Sequence, residues 1–175
     1  MDVDDELVAR ARAGDTAALD DLLRQVRPHL VRRCARILPH PHDAEEAAQE
    51  ALVTVATHLS DFDGRGSFAG WVGVIATNQA RMTYRSLKRR FAEHRGELPD
   101  VLDPRRTSVI AGSRLDLLEA IEALEAKHPE TVEAFVLRDL GTLPYDDIAV
   151  QLGVPLGTVK ARIHTARGFV RGRLV

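Results

Sequence analysis

Apolar residues recur every three to four positions along most of the chain, and this period predicts helices almost throughout. Glu6 to Ala13 reads as a short helix stopped at Gly14. Asp15 can cap the next, which runs to about Leu38 with Leu19, Leu22, Leu23, Val26, Leu30, Val31 and Ile37 on its inner side. Pro28 lies inside it and predicts a kink or local break. After the loop Pro39-His40-Pro41-His42, Asp43 caps a helix to about Leu59, with Glu46 three residues on completing a capping box. Ala47, Ala51, Val55 and Leu59 face inward there. A loop over 60–67 carries Gly64 and Gly66, and Ser67 caps the longest helix, Phe68 to about Phe91. Leu98 to Gly112 shows no period and contains Pro99 and Pro104. A helix restarts at Ser113 or Asp116 and runs through Ala126, and Pro129 opens another through Asp139, ended by Gly141. No run alternates in the manner of a strand, so the expected fold is all-α.

The final residues, 143–174, divide into two helices around a tight break. The first starts at Pro144 and carries Asp146 and Asp147 at its positive end. Gly153 stops it and Pro155 begins the second, which is a helix-turn-helix pattern. In the second helix Val159, Ile163, Ala166 and Val170 fall on one side and pack inward. Lys160, His164, Arg167 and Arg171 form a basic stripe beside a face of small residues, Thr158, Ala161, Thr165, Gly168 and Gly172. Charge for phosphates without bulk to hold the backbone away is what close approach to a duplex requires.

Charge sharpens this picture. The 175-residue chain has a net charge of only −2, unpromising for a nucleic-acid binder until it is mapped. Arg81 to Arg95 holds six basic residues against Glu93 alone, whereas acids gather at 2–6, 43–50 and 116–133. That asymmetry points to two kinds of partner, one of them anionic. The single Cys34 sits in a helical pattern and reads as a small buried hydrophobe; no internal disulfide is possible. His40 and His42 have no carboxylate or thiol at ligand spacing, so no metal and no cofactor is expected. The N-terminus is acidic without an apolar centre, and no apolar run approaches the roughly 18 residues of a membrane span. A cytoplasmic protein without membrane insertion is therefore expected. No Ser/His/Asp set, carboxylate pair or phosphate loop stands at usable spacing, so an enzyme is not expected.

The order of these features resembles the extracytoplasmic-function sigma factors of the sigma-70 family. The residues that carry the resemblance are DAEEAAQEAL (43–52), GSFAGWVGVIATNQARMTYR (66–85), LPYDDIA (143–149) and VPLGTVKARIHTAR (154–167). It implies two small helical domains, 1–95 and 113–175, joined by a flexible linker over 96–112. It further implies a chain that binds core RNA polymerase and recognises promoter DNA. Asp43, Glu46, Gln49 and Glu50 would dock on the β′ clamp helices, and the β flap is the other polymerase surface implied. Phe62, Arg65, Ser67, Phe68 and Trp71 would surround a flipped base of the −10 element, with Asn78, Arg81 and Arg85 on the non-template strand. Thr158, Lys160, Ala161, Arg162, His164, Thr165 and Arg167 would lie in the −35 major groove. An anti-sigma factor is the further partner implied.

Several residues depart from the family pattern. Ala161 replaces a Ser, and Thr165 stands where a basic side chain is common, so −35 readout would lean on methyl contacts and backbone shape. Ala47-Ala48 replaces bulkier aliphatics, and Pro144 replaces a capping Ser, leaving Thr142 as the available cap. Nothing follows Val175, so no added C-terminal domain is expected. From the residues alone one alternative stays open: a stand-alone helix-turn-helix regulator whose first half senses or dimerises. Trp71 likewise remains open between a base-stacking surface and simple core.

Overall fold

The computed structural model describes residues 1, 3–93 and 109–174, with their side chains except at 91–93 and 109–114. Among these residues all regular structure is helical: α1 (Asp5–Arg12), α2 (Thr16–Ile37), α3 (Pro41–Thr57), α4 (Phe68–Glu93), α5 (Val109–Lys127), α6 (Pro129–Phe135), α7 (Tyr145–Leu152) and α8 (Leu156–Arg171). A 3-10 turn at Leu59–Asp61 follows α3, and a wide π turn over Val136–Leu140 extends α6. The all-α expectation is met.

Local chemistry accounts for the boundaries. Asp4 caps α1 by accepting from the Glu6 amide at 2.9 Å. Asp15 accepts from the Ala18 amide at 3.0 Å to cap α2, and its other oxygen takes Arg10 Nη2 at 2.6 Å, pinning α1 to α2 across Gly14. The backbone bond from Ala18 and then the Arg10 guanidinium hold the Asp15 carboxyl below its usual range. Pro28 does not break α2, which runs unbroken for 22 residues. The core contacts of Val26 and Leu30 on either side outweigh the one backbone bond a proline forfeits.

Two capping expectations are corrected. His40, not Asp43, is the N-cap of α3, because Pro41 with its preset φ already occupies the first helical turn; Asp43 then adds charge there rather than a cap. Thr142 does not cap α7: it sits at φ 53°, Pro144 takes the cap position, and the Thr142 hydroxyl accepts from Arg36 Nη1 at 2.9 Å instead. Helix α5 begins at Val109, inside the stretch that showed no period, and residues 96–108 of the expected linker lie outside those described.

Alanines on the inner side of α3, at 44, 47, 48 and 51, are all buried, and α3 lies along α2 and α4 on them. Leu22, Val26, Leu30, Cys34 and Ile37 fill the other side of that layer. Burial pushes the Cys34 thiol up to about 11, which fits a hydrophobe and not a nucleophile. One continuous core joins this bundle to α5 and α6 through Leu118, Ile121, Leu124, Val132 and Phe135. The helix-turn-helix has a smaller core of its own, Leu137, Leu143, Ile148, Val159 and Ile163, against which Val74 of α4 packs.

Two substitutions separate packing from backbone effects. Leu30 is fully enclosed, so Leu30→Ala should cost roughly 2–5 kcal/mol in urea unfolding. Gly153 sits at φ 62°, and a Cβ added there would meet nothing within 4 Å. Gly153→Ala should therefore cost only the left-handed backbone penalty, about 1–2 kcal/mol in the same measurement.

Candidate nucleic-acid interface

Helix α8 presents the strip that the sequence pattern assigned to it. Val159, Ile163, Ala166 and Val170 are buried, which leaves Lys160, Ala161, His164, Thr165 and Gly168 exposed on the opposite side. Thr158 and Arg162 flank this strip half-buried. Gly153 in the left-handed conformation supplies the sharp turn that sets α8 across α7. Arg167 is exposed but not unengaged: its Nε and Nη2 grip both oxygens of Asp139 at 2.8 and 2.5 Å. That carboxylate bonding raises the guanidinium above its ordinary value and fixes its direction along the helix.

In the first half, the loop before α4 holds Gly64 and Gly66 at φ 80° and 77°. Arg65 is exposed and folds back on Asp63, its Nε 2.5 Å from the carboxylate. Phe62, Phe68 and Trp71 form one aromatic cluster with centroids 5.4–5.7 Å apart. Phe62 and Phe68 are buried, and only Trp71 keeps a partly open face. The rings read as base-stacking surfaces are thus packed on one another. Beside them lies an open cavity of about 500 Å³ between the loop and α1, lined by Gly64, Gly66, Ser67 and Phe62 on one side and Val8 and Arg12 on the other. Nothing in the sequence signalled the part played by α1, because its contact with the loop exists only in the folded chain.

Ser67 is the cap of α4, its Oγ accepting from the Gly70 amide at 2.9 Å. It also reaches across the molecule. The Ser67 amide and hydroxyl donate to the two oxygens of Asp147 on α7, at 3.1 and 2.6 Å. A Cβ at Gly70 would stand 2.7 Å from that carboxylate, so only glycine admits it. Further along α4, Arg81 lies 3.6 Å from Glu125 of α5, Arg85 bonds the same carboxylate, and Lys88 bonds Glu122. Burial, with Arg85 close by, pushes the Arg81 guanidinium below its ordinary value. Asn78 is half-buried one turn before Arg81. Every donor read as facing a DNA strand here, Asn78 and Arg65 apart, is thus met by a carboxylate of the second half.

On α3, Glu46, Gln49 and Glu50 are exposed and Asp43 is half-buried. The face is wider than the sequence reading made it: Glu45 is exposed, and Val53 is 60% exposed, an apolar residue on an acidic strip. Among the described residues no cluster of three or more metal-ligating side chains occurs, and no helix is long and apolar enough to cross a membrane.

Two family models match the chain: sigma-70 region 2 over residues 22–90 and sigma-70 region 4 over residues 114–170. The ECF RNA polymerase sigma factor SigE of Mycolicibacterium smegmatis is 35% identical over 170 residues, covering 92% of this chain and 64% of that protein. The sigma-H factor of Pseudomonas aeruginosa is 29% identical, covering 94% and 90%, and SigW of Bacillus subtilis is 28% identical, covering 95% and 94%. The solved structure of CnrH in complex with the cytosolic domain of CnrY has the same fold, at a TM-score of 0.58 and 21% identity over 98% of this chain and 96% of that one. Matches to both halves, in relatives named as RNA polymerase sigma factors, do not favour a stand-alone regulator. The chain belongs to the sigma-70 family, in the extracytoplasmic-function group of RNA polymerase sigma factors that direct promoter recognition.

Proposed function

We propose that this chain acts in the cytoplasm as a promoter-specificity subunit through three separate surfaces, and that the described arrangement is its closed form. The acidic strip Asp43, Glu46, Gln49 and Glu50, extended by Val53, docks on the β′ clamp helices; an exposed apolar side chain among charges is a usual anchor for such a contact. The cavity of about 500 Å³ beside Gly64, Gly66 and Phe62 takes a flipped −10 base, with Ser67 and Trp71 at its margin. Asn78, Arg81 and Arg85 track the adjoining strand, and Arg65 reaches its phosphates. The strip on α8 enters the −35 groove: Lys160 and Arg167 meet phosphates, Ala161 and Thr165 meet base edges through methyl groups, and His164, Thr158 and Arg162 flank them.

The observation that carries this reading is the α8 strip, small and basic, left exposed directly opposite a fully buried side. Binding of an anti-sigma factor is an extension of it, supported by the complex that CnrH forms with the cytosolic domain of CnrY.

Reconstitution tests the reading. The chain should co-elute with core polymerase and direct a transcript from a genomic promoter library; failure of both would sink it. Glu50→Lys should weaken core binding by about 10–100-fold, since an opposed charge at a docking face costs a few kcal/mol, while leaving the helical circular dichroism unchanged. No change in core affinity would reassign that face.

Closure has its own consequence. Asp147 and Glu125 hold donors that the −10 strand needs, so the free chain should bind single-stranded −10 DNA weakly. Asp147→Ala together with Glu125→Ala should raise that affinity by about tenfold or more, the worth of a carboxylate competitor removed from a charged donor set. Equal binding by parent and variant, measured by fluorescence anisotropy at fixed salt, would show that the carboxylates do not compete.

A further inference from the structure

A second cavity lies between α2, the start of α4 and the turn before α7, and meets the loop cavity at Met1 and Ala69, which line both. It measures about 140 Å³. One face of α2 lines it with His29, Arg32, Arg33 and Arg36, at the i, i+3, i+4, i+7 spacing that puts four side chains on one side of a helix. Ala69, Val72 and Ala76 of α4 form an apolar floor, and Thr142 closes the edge. Among the described residues no acidic side chain lines it. Elsewhere in this chain arginines meet carboxylates, as Arg10, Arg85 and Arg167 do. Here three stand together without one among the described residues.

Arg33 is the centre of the cluster. Its Nη1 is enclosed and has no hydrogen-bond acceptor among the described residues. A Cβ on Gly73 would lie 3.0 Å from Arg33 Cζ and Nη1, so the guanidinium rests close against the α4 backbone. Burial, and then Arg36, push its charge below the ordinary value. A half-buried cation without a counter-charge among the described residues carries a desolvation cost, and like charges one turn apart on a helix add to it. The other side chains are already oriented. Arg36 donates to Thr142 Oγ1 at 2.9 Å, which leaves the Thr142 hydroxyl its own proton to give. His29 Nδ1 stands 2.9 Å from Arg32 Nη2; as the acceptor of that bond it carries the ring proton on Nε2.

The geometry points to an oxyanion site that takes a phosphoryl group on Arg33, Arg36 and Arg32, with His29 and Thr142 as neutral donors. A tetrahedral phosphoryl has enough oxygens for several converging guanidiniums, where a carboxylate has two. The volume is below the roughly 300–1,000 Å³ of ordinary small-molecule sites, so the cavity encloses the phosphoryl and not a nucleoside attached to it. Because Thr142 belongs to the second half and the arginines to the first, a bound phosphoryl tightens the closed arrangement.

The test uses the full chain. Inorganic phosphate is titrated at constant ionic strength against chloride, and the His29 ring resonances and the thermal midpoint are followed. Saturable movement of His29 and a saturable rise in midpoint are expected with phosphate and not with chloride. Arg36→Gln, a change at an exposed side chain, should weaken phosphate by about tenfold, the worth of one charge-assisted hydrogen bond. Arg33→Gln should abolish the effect, and its circular dichroism reports whether it is folded. A single-stranded oligonucleotide arm distinguishes the source: displacement of phosphate from His29 assigns the site to a nucleic-acid backbone, and no displacement assigns it to a free phosphorylated small molecule. A linear, non-saturating response equal to that of chloride, or an unchanged response in Arg36→Gln, overturns the site.

Discussion

The carboxylate of Asp147, seated on the first turn of α4, is the contact on which the arrangement of the two halves turns. It is bound by the amide and hydroxyl of Ser67, and it fits because Gly70 has no side chain. The N-terminus of a helix is a natural anion site, with unpaired amides and the positive end of the helix dipole. In the closed chain that site is filled by the protein's own carboxylate. In the proposed function the same end of α4, with the loop before it, is what a promoter strand reaches. One anion therefore excludes another, and the competition is between a tethered carboxylate and phosphates or base edges.

The strength of this closure is set by its exposure. Ser67, Arg85 and the carboxylates that meet them are largely solvent-accessible, and such pairs contribute only about 0–1 kcal/mol each. The apolar seam, where Val74 of α4 packs against the cluster that includes Leu143 and Ile148, and the core that runs on into α5 and α6 add burial to the charge pairs. The halves are therefore held by apolar burial as well as by exposed pairs. In the proposed function a large docking surface on polymerase, engaging the α3 strip that closure leaves open, competes with these contacts.

Much of this was legible from the residue pattern, and the limits were physical. The period of Val159, Ile163, Ala166 and Val170 fixed both faces of α8, because burial there depends only on spacing along one helix. Gly153 and Ser67 declared a stop and a cap through local chemistry and did so in the fold. The pattern misplaced the α3 cap because Asp43 and Pro41 are both good starters and propensity does not rank them. It expected a break at Pro28 because propensity knows nothing of the core that Val26 and Leu30 enter. The wider α3 face with Val53 was missed because an apolar residue on a helix reads as core until the fold leaves it outside. Above all, Ser67 and Asp147 are 80 residues apart, and no local rule pairs them.

The unpaired arginines of α2 follow from the same logic. Acidic side chains of the second half are spent on Ser67, Arg81, Arg85, Lys88 and Arg167. Across from Arg33 and Arg36 the second half offers instead Thr142, a residue held at φ 53° where a β-branched side chain is strained. A strained backbone that presents a hydroxyl, and not a carboxylate, to a row of guanidiniums leaves their charge unmet among the described residues. The two ends of the seam are then complementary: at Ser67 the protein supplies the anion and shuts out a ligand, and at Arg33 it withholds the anion and leaves a place for one.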